Sequence, residues 1–259
     1  MKIQIRSITY SLFSIFFLHI GLYTLKAQGV DSGEKKTKYV YLTFDDGPLE
    51  GSEKIDEAIR YEKVPITVLL VGRHAEAQPH YLELYKENDH IEVGNHSYSH
   101  ARNHYSKFYF NPEGVLDDFL KSHEIIGSGD RVARLPGRNM WRLGTRQKDD
   151  IPSGSEAADL LAENGFEIYG WDMEWFHDPK TAEPVGSAEE VFQQMEHHLD
   201  HGRTFTKDHL ILLCHDEMFR EDWEESELKK LIELLKTRED YEFARLKQYP
   251  TSKYSIDYS

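Results

Sequence analysis

The 259-residue chain has a single cysteine, Cys214, so an internal disulfide is excluded. An exported protein of this kind must be held by packing rather than by staples. The neighbours Ile211, Leu212 and Leu213 mark Cys214 as a buried strand thiol and not a nucleophile. Basic residues are scarce, with 31 Lys and Arg against 46 Asp and Glu, and the formal net charge is −15. That surplus of acid argues against nucleic acid and anionic membranes as partners. It suits a neutral or cationic ligand better than a polyanion, although solubility alone would explain it as well. Internal repeats and low-complexity tracts are absent, which excludes a repeat architecture.

The one long apolar run lies at the start. Lys2 and Arg6 precede a largely apolar stretch from Ile8 to Leu25, and Ala27 offers a small residue for cleavage. Residues 1–27 therefore read as a secretory signal peptide, with export to the periplasm or beyond. The rival reading is an uncleaved N-terminal membrane anchor. Ser, Thr and His19 within the stretch favour the signal, and once it is cleaved no stable membrane span is expected. No cysteine follows that could carry a lipid. The first 27 residues hold Lys2, Arg6 and Lys26 and no acid, so removing three positive charges from −15 leaves −18 on 232 residues. The expected organisation is a polar linker at 28–37, one folded domain at 38–250 and a polar tail at 251–259.

Within the domain, strands and helices alternate. Tyr39 to Phe44 reads as a buried strand, Gly51 to Lys63 as a helix, Val64 to Val71 as a continuous apolar strand, and Pro79 to Glu87 as a helix opened by proline. A strand at 91–95 follows, then an irregular aromatic loop from Asn103 to Phe110, a helix from Pro112 to Ile126 and a strand from Val132 to Leu135. Further on come a helix at 156–164, a strand from Phe166 to Trp171, a helix capped by Ser187 and a strand from His209 to Cys214. An amphipathic helix from Glu224 to Thr237 and a strand from Tyr241 to Leu246 close the pattern. Near-continuous apolar strands separated by helices imply an α/β fold with a parallel sheet. Such folds gather reactive groups at the carboxyl ends of their strands.

Two stretches fall at such ends. Thr43-Phe44-Asp45-Asp46-Gly47-Pro48 ends a strand in adjacent carboxylates and a forced turn. Diverging side chains there can take two jobs, one binding a metal and the other accepting a proton. Gly94-Asn95-His96-Ser97-Tyr98-Ser99-His100 places two histidines at i and i+4, a spacing that puts both on one face of a helix or helical turn. Asp46, His96 and His100 together make a three-ligand set with open positions, the pattern of a catalytic rather than a closed metal site.

Thr43 to Pro48 with His96 to His100 resembles the first two motifs of the NodB-type polysaccharide deacetylases, carbohydrate esterase family four. The likeness continues through Arg134-Leu135-Pro136, Trp171-Asp172 and Leu213-Cys214-His215, and spans about residues 38 to 246. The resemblance implies a single-domain distorted (β/α) barrel of about seven parallel strands. It implies Asp45 as the catalytic base, Arg134 as the group that orients it, and a backbone N–H at Gly137 as oxyanion donor. Arg138 is a close rival to Arg134 that only the resemblance separates. His215 becomes the acid for the departing amine, with Leu213 lining the acetyl pocket. The fourth motif departs from the family pattern. In Trp171-Asp172-Met173-Glu174-Trp175, alternation puts Asp172 and Glu174 on one face and the other three residues on the opposite one. Either carboxylate could support His215, and Asp172 is the first choice. Trp175 is a candidate pocket wall or sugar platform, and a core tryptophan as the plain alternative. His177, Asp178, His197, His198 and His201 read as surface or loop residues.

The implied activity is metal-dependent hydrolysis of N-acetyl groups on an N-acetylglucosamine-containing polysaccharide, peptidoglycan or chitin-like. One divalent ion is expected: zinc by default, with cobalt, nickel and iron suited to the same donors. An O-acetyl xylan-type esterase would use the same site. A silent carbohydrate-binding homologue would not need Asp45, Asp46, His96, His100 and His215 together. A peptidase or amidase would be expected to carry a Glu-bearing helical zinc motif, and the chain has none.

Overall fold

A computed structural model describes residues 36–251. The expected signal peptide, most of the linker and all but the first residue of the expected tail lie outside the described residues. β1 (Lys38–Asp45) is followed by α1 (Ser52–Glu62), β2 (Ile66–Leu70), α2 (Gly72–Ala77), α3 (Pro79–Lys86) and β3 (Ile91–Asn95). Next come α4 (Tyr105–Tyr109), α5 (Pro112–Ile126), β4 (Val132–Ala133), β5 (Trp141–Leu143), β6 (Arg146–Lys148), α6 (Ser155–Glu163), β7 (Glu167–Ile168) and β8 (Met173–Glu174). The chain ends in α7 (Ala188–Asp200), β9 (His209–His215), α8 (Glu227–Lys236) and β10 (Tyr241–Phe243). Local chemistry sets the helix ends. Ser187 and Glu190 form a reciprocal capping box on α7, and Asn111 accepts from the Gly114 N–H at the start of α5.

Seven strands run parallel in the order β7-β4-β3-β2-β1-β9-β8. The hairpin β5–β6, which periodicity does not reveal, extends this sheet antiparallel to β7. β10 pairs with Lys38–Val40 of β1, while β2 takes the later part of the same strand, Thr43–Asp45. β7 and β8 stand at the two ends of the parallel run, yet residues 169–172 alone join them. Five peptide steps reach at most roughly 17 Å, so the sheet must curl until its ends approach. Side chains hold this connection in place. Arg134 donates to Tyr169 O at 3.1 Å and Gly170 O at 2.9 Å, and Asn139 exchanges hydrogen bonds with the Trp171 main chain.

Alternation along the strands sorts core from site. On β1, Val40, Leu42 and Phe44 pack outward against the helices, with Leu210, Leu212 and Cys214 of β9 beside them. Tyr41 and Ile211 fill the barrel interior with Trp141, Tyr169 and Tyr249. The same phase carries Asp45, Leu213 and His215 to the inner face at the carboxyl end, where Asp45 and His215 are register partners. The burial of Cys214 agrees with its reading as an inert strand thiol.

Candidate metal and hydrolytic site

The Asp45-Asp46 pair splits because the backbone turns between them. Asp45 ends the strand, whereas Asp46 sits at φ 72°, a left-handed conformation rare outside glycine. The turn is held from below by Asp216, whose buried carboxylate accepts from Leu49 N, Ser52 Oγ and Tyr85 OH. Burial raises the Asp216 carboxyl to about 6 against those three donors. Gly47 is needed here, because a Cβ would stand 2.6 Å from Asp216 Oδ2.

His96 and His100 converge without the helical turn that their spacing suggests. His96 directly follows β3, and residues 100–103 all have positive φ, between 46° and 59°. Asn95 Oδ1 accepts from Ser97 N, Ser97 Oγ from His100 N, and Asp118 Oδ2 from both Tyr98 N and Ser99 N. This network over-determines a strained loop, since left-handed residues cost about 1–2 kcal/mol each.

Asp46 Oδ1 lies 3.0 Å from His100 Nε2 and 3.5 Å from His96 Nε2. One ligand atom from each residue falls within 4.8 Å of the others. The donor chemistry fits a cation. His96 Nδ1 lies 2.9 Å from Arg134 O, and a carbonyl only accepts, so the proton is on Nδ1 and the Nε2 lone pair faces the site. Burial, then the neighbouring His100, lowers the His96 pKa to about 3, keeping the ring neutral. For Asp46, burial works upward, but His100 and His96 hold the carboxyl well below its usual range. Its Oδ1 is buried and has no hydrogen-bond partner, an orphaned acceptor that a cation would satisfy.

Asp45 is fully buried beside this set. Burial raises its pKa, opposed by Arg134, whose Nη1 donates to Asp45 Oδ1 at 2.8 Å. Arg138 is turned elsewhere, bonding Ser153 and the Gly137 carbonyl. Asp45, Asp46, His96, His100, Gly137, Leu213 and His215 line one cavity of about 220 Å³. Gly137 has φ 61°, and a Cβ there would meet the Tyr105 ring at 3.1 Å. Tyr105 belongs to α4, which occupies part of the stretch expected to be a loop.

The fourth motif needs correction. Asp172 does not reach His215. It lies level with Ile211, two residues down the barrel from the layer of Glu174 and Leu213, and its carboxylate accepts from Phe205 N and Ile211 N. Burial raises it to about 6 despite those donors. Glu174 is the carboxylate that lines the cavity, and burial followed by Asp45 raises its pKa. Trp175 does not line this cavity, because it packs outward with Met173 and meets Phe219 edge-on. Trp171 lines the cavity instead, since β8 begins only at Met173 and alternation does not hold before it.

His177 is a residue that sequence reasoning missed. Its ring lies 4.8 Å from that of His215, and its Nε2 is 3.4 Å from Glu217 Oε1. The Nδ1 atoms of both His177 and His215 are buried without partners. Its place three residues after Glu174, past an outward Trp175, is the only signal the sequence held. Asp150 also lines the cavity, at the end of the unforeseen hairpin.

The sequence model described as "Polysaccharide deacetylase" matches residues 32–133. A peptidoglycan-N-acetylglucosamine deacetylase of Bacillus cereus is 27% identical over 187 residues, covering 70% of this chain and 61% of that protein. A chitin disaccharide deacetylase of Vibrio alginolyticus is 26% identical over 201 residues, covering 52% of this chain and 47% of that one. The chain thus spans roughly half to three fifths of the length of these curated relatives. Among solved structures, the catalytic domain of a peptidoglycan N-acetylglucosamine deacetylase from Eubacterium rectale superposes with a TM-score of 0.62 at 22% identity, covering 85% of this chain and 94% of that one. Its likeness shows a shared fold. Residues 32–133 thus resemble the polysaccharide deacetylases in sequence, and the chain shares their fold over most of its length.

Proposed function

We propose that the protein is an exported hydrolase that removes N-acetyl groups from an N-acetylglucosamine-containing polysaccharide, peptidoglycan or chitin-like. The observation that carries this reading is the convergence of Asp45, Asp46, His96, His100 and His215 on one cavity of about 220 Å³. The names of the two relatives, a peptidoglycan-N-acetylglucosamine deacetylase and a chitin disaccharide deacetylase, support the choice of polymer.

Asp46, His96 and His100 would hold one divalent ion, zinc by default. When bound, it supplies Lewis acidity toward water and the acetyl carbonyl. Asp45, oriented by Arg134, takes the proton of the attacking water. The Gly137 N–H is the donor proposed for the oxyanion, and Leu213 gives the acetyl methyl an apolar wall. His215, across the cavity on β9, gives a proton to the departing sugar amine, without which an amide cannot leave. Glu174, which lines the cavity level with Leu213, replaces Asp172 as the carboxylate that the fourth motif brings to the site in this reading.

Acetate release from N-acetylglucosamine oligomers and peptidoglycan, set beside acetylated xylan, tests the reading. Release from the first two is expected; release from xylan alone would replace it with an O-acetyl esterase.

A further inference from the structure

The end of β2 and the first turn of α2 run between the two ligand-bearing loops and bond to both. Leu70 O accepts from His96 N at 2.8 Å, and Val71 N donates to Gly47 O at 2.8 Å. Gly72 N donates to Ser97 O at 2.9 Å and Arg73 N to Tyr98 O at 3.1 Å. These are main-chain bonds that many sequences could make. One side chain joins them: His74 Nδ1 lies 2.7 Å from Asp46 O. The carbonyl can only accept, so Nδ1 carries the proton, and the 3.4 Å approach of Arg73 Nε to Nε2 agrees with that tautomer. The bond therefore grips the main chain of Asp46 itself, where φ is 72°. A non-glycine residue keeps such a conformation only if its surroundings impose it. Relaxing it would swing the Asp46 carboxylate away from His96 and His100. The bracket is itself fixed from outside, because a Cβ on Gly72 would stand 2.8 Å from Ser122 Oγ of α5.

We propose that His74 is a positioning residue for the cation site: its Nδ1–H clamps Asp46 O and so aims the Asp46 carboxylate at the point where His96 and His100 converge. This rests on reading Asp46, His96 and His100 as the metal ligands. The side chain touches neither a ligand atom nor the reacting groups, and acts through one carbonyl. The amide nitrogen of asparagine falls where imidazole Nδ1 does, whereas that of glutamine falls near Nε2. The two amides therefore separate the clamp from mere bulk and polarity.

The test is zinc affinity of the full chain, measured by competition with a chromogenic chelator, together with the thermal midpoint of the metal-free protein. His74→Ala and His74→Gln are expected to weaken zinc binding by roughly 10–100-fold, the range for groups that orient ligands from behind. His74→Asn should stay within a few-fold of wild type, and the three metal-free midpoints should agree closely. Wild-type zinc affinity in His74→Ala would overturn the proposal. So would equal losses in all three variants that follow their midpoints, since His74 would then serve only stability. His100→Ala is the control for the underlying reading: zinc retained in that variant would remove the ligand assignment, and the clamp with it.

Discussion

Arg134 donates to Asp45 Oδ1 at 2.8 Å while both side chains are buried, and the same guanidinium also reaches Thr43 Oγ1, Tyr169 O and Gly170 O. One residue thus orients the proposed base and ties down the connection between β7 and β8. Losing one partner of a buried charge pair typically costs about 3–5 kcal/mol. Arg134→Met is expected to lose stability of that order in urea unfolding as well as activity. A stable but inactive variant would mean that the β7–β8 connection does not need the guanidinium.

Asp45→Asn should keep bound metal and lose turnover by roughly 10²–10⁴-fold, the usual contribution of a general base. Metal analysis and kcat on the same preparation check both halves. Wild-type kcat in this variant would reduce Asp45 to a structural residue.

His215→Ala should depress hydrolysis of amides strongly and of an activated aryl acetate much less, because the aryl leaving group departs as an anion. Equal losses would remove the case for His215 as the acid. Burial lowers the His215 pKa first, and the neighbouring His177 lowers it further. His177→Gln removes a neighbour that disfavours the His215 imidazolium, so that form gains and the alkaline limb of kcat/KM should move to higher pH. A limb that stays put or moves down would show that His177 does not act on His215.

Asp172 is expected to affect folding and not that limb. Its folded pKa is raised to about 6 from 3.8. Between those values the native state holds the proton more tightly than the unfolded chain, so this group's contribution to stability falls as pH rises from about 4 to 6 and is flat above. The stability of wild type relative to Asp172→Asn should therefore decline across that window in denaturant titrations. A shifted alkaline limb in Asp172→Asn would restore its link to His215.

Strands read from apolar runs were legible where they were long. β3 is Ile91–Asn95 as periodicity gives it, and seven strands run parallel in one path, with β10 paired parallel to β1 as an eighth beside the about seven that the resemblance implied. The convergence of Asp46, His96 and His100 was legible too, because strand ends in a parallel sheet meet at one rim. The route by which His100 arrives was not. It depends on four successive left-handed residues entered from a turn at Tyr98 and Ser99 that Asp118 holds, twenty positions from Tyr98 in the chain. The fourth motif failed for a different reason. β8 has two residues, too few to phase alternation, so neither the level of Asp172 nor the direction of Trp171 followed from it. His74 and His177 reach the site through tertiary contacts that no spacing announces.

Acetate release from peptidoglycan by the full chain, measured before chelation, after chelation and after zinc is restored, tests the central claim most directly. The expected result is release that chelation abolishes and zinc recovers in wild type, with no recovery in His100→Ala. Undiminished release from the chelated enzyme, or none from the zinc-loaded one, would contradict it.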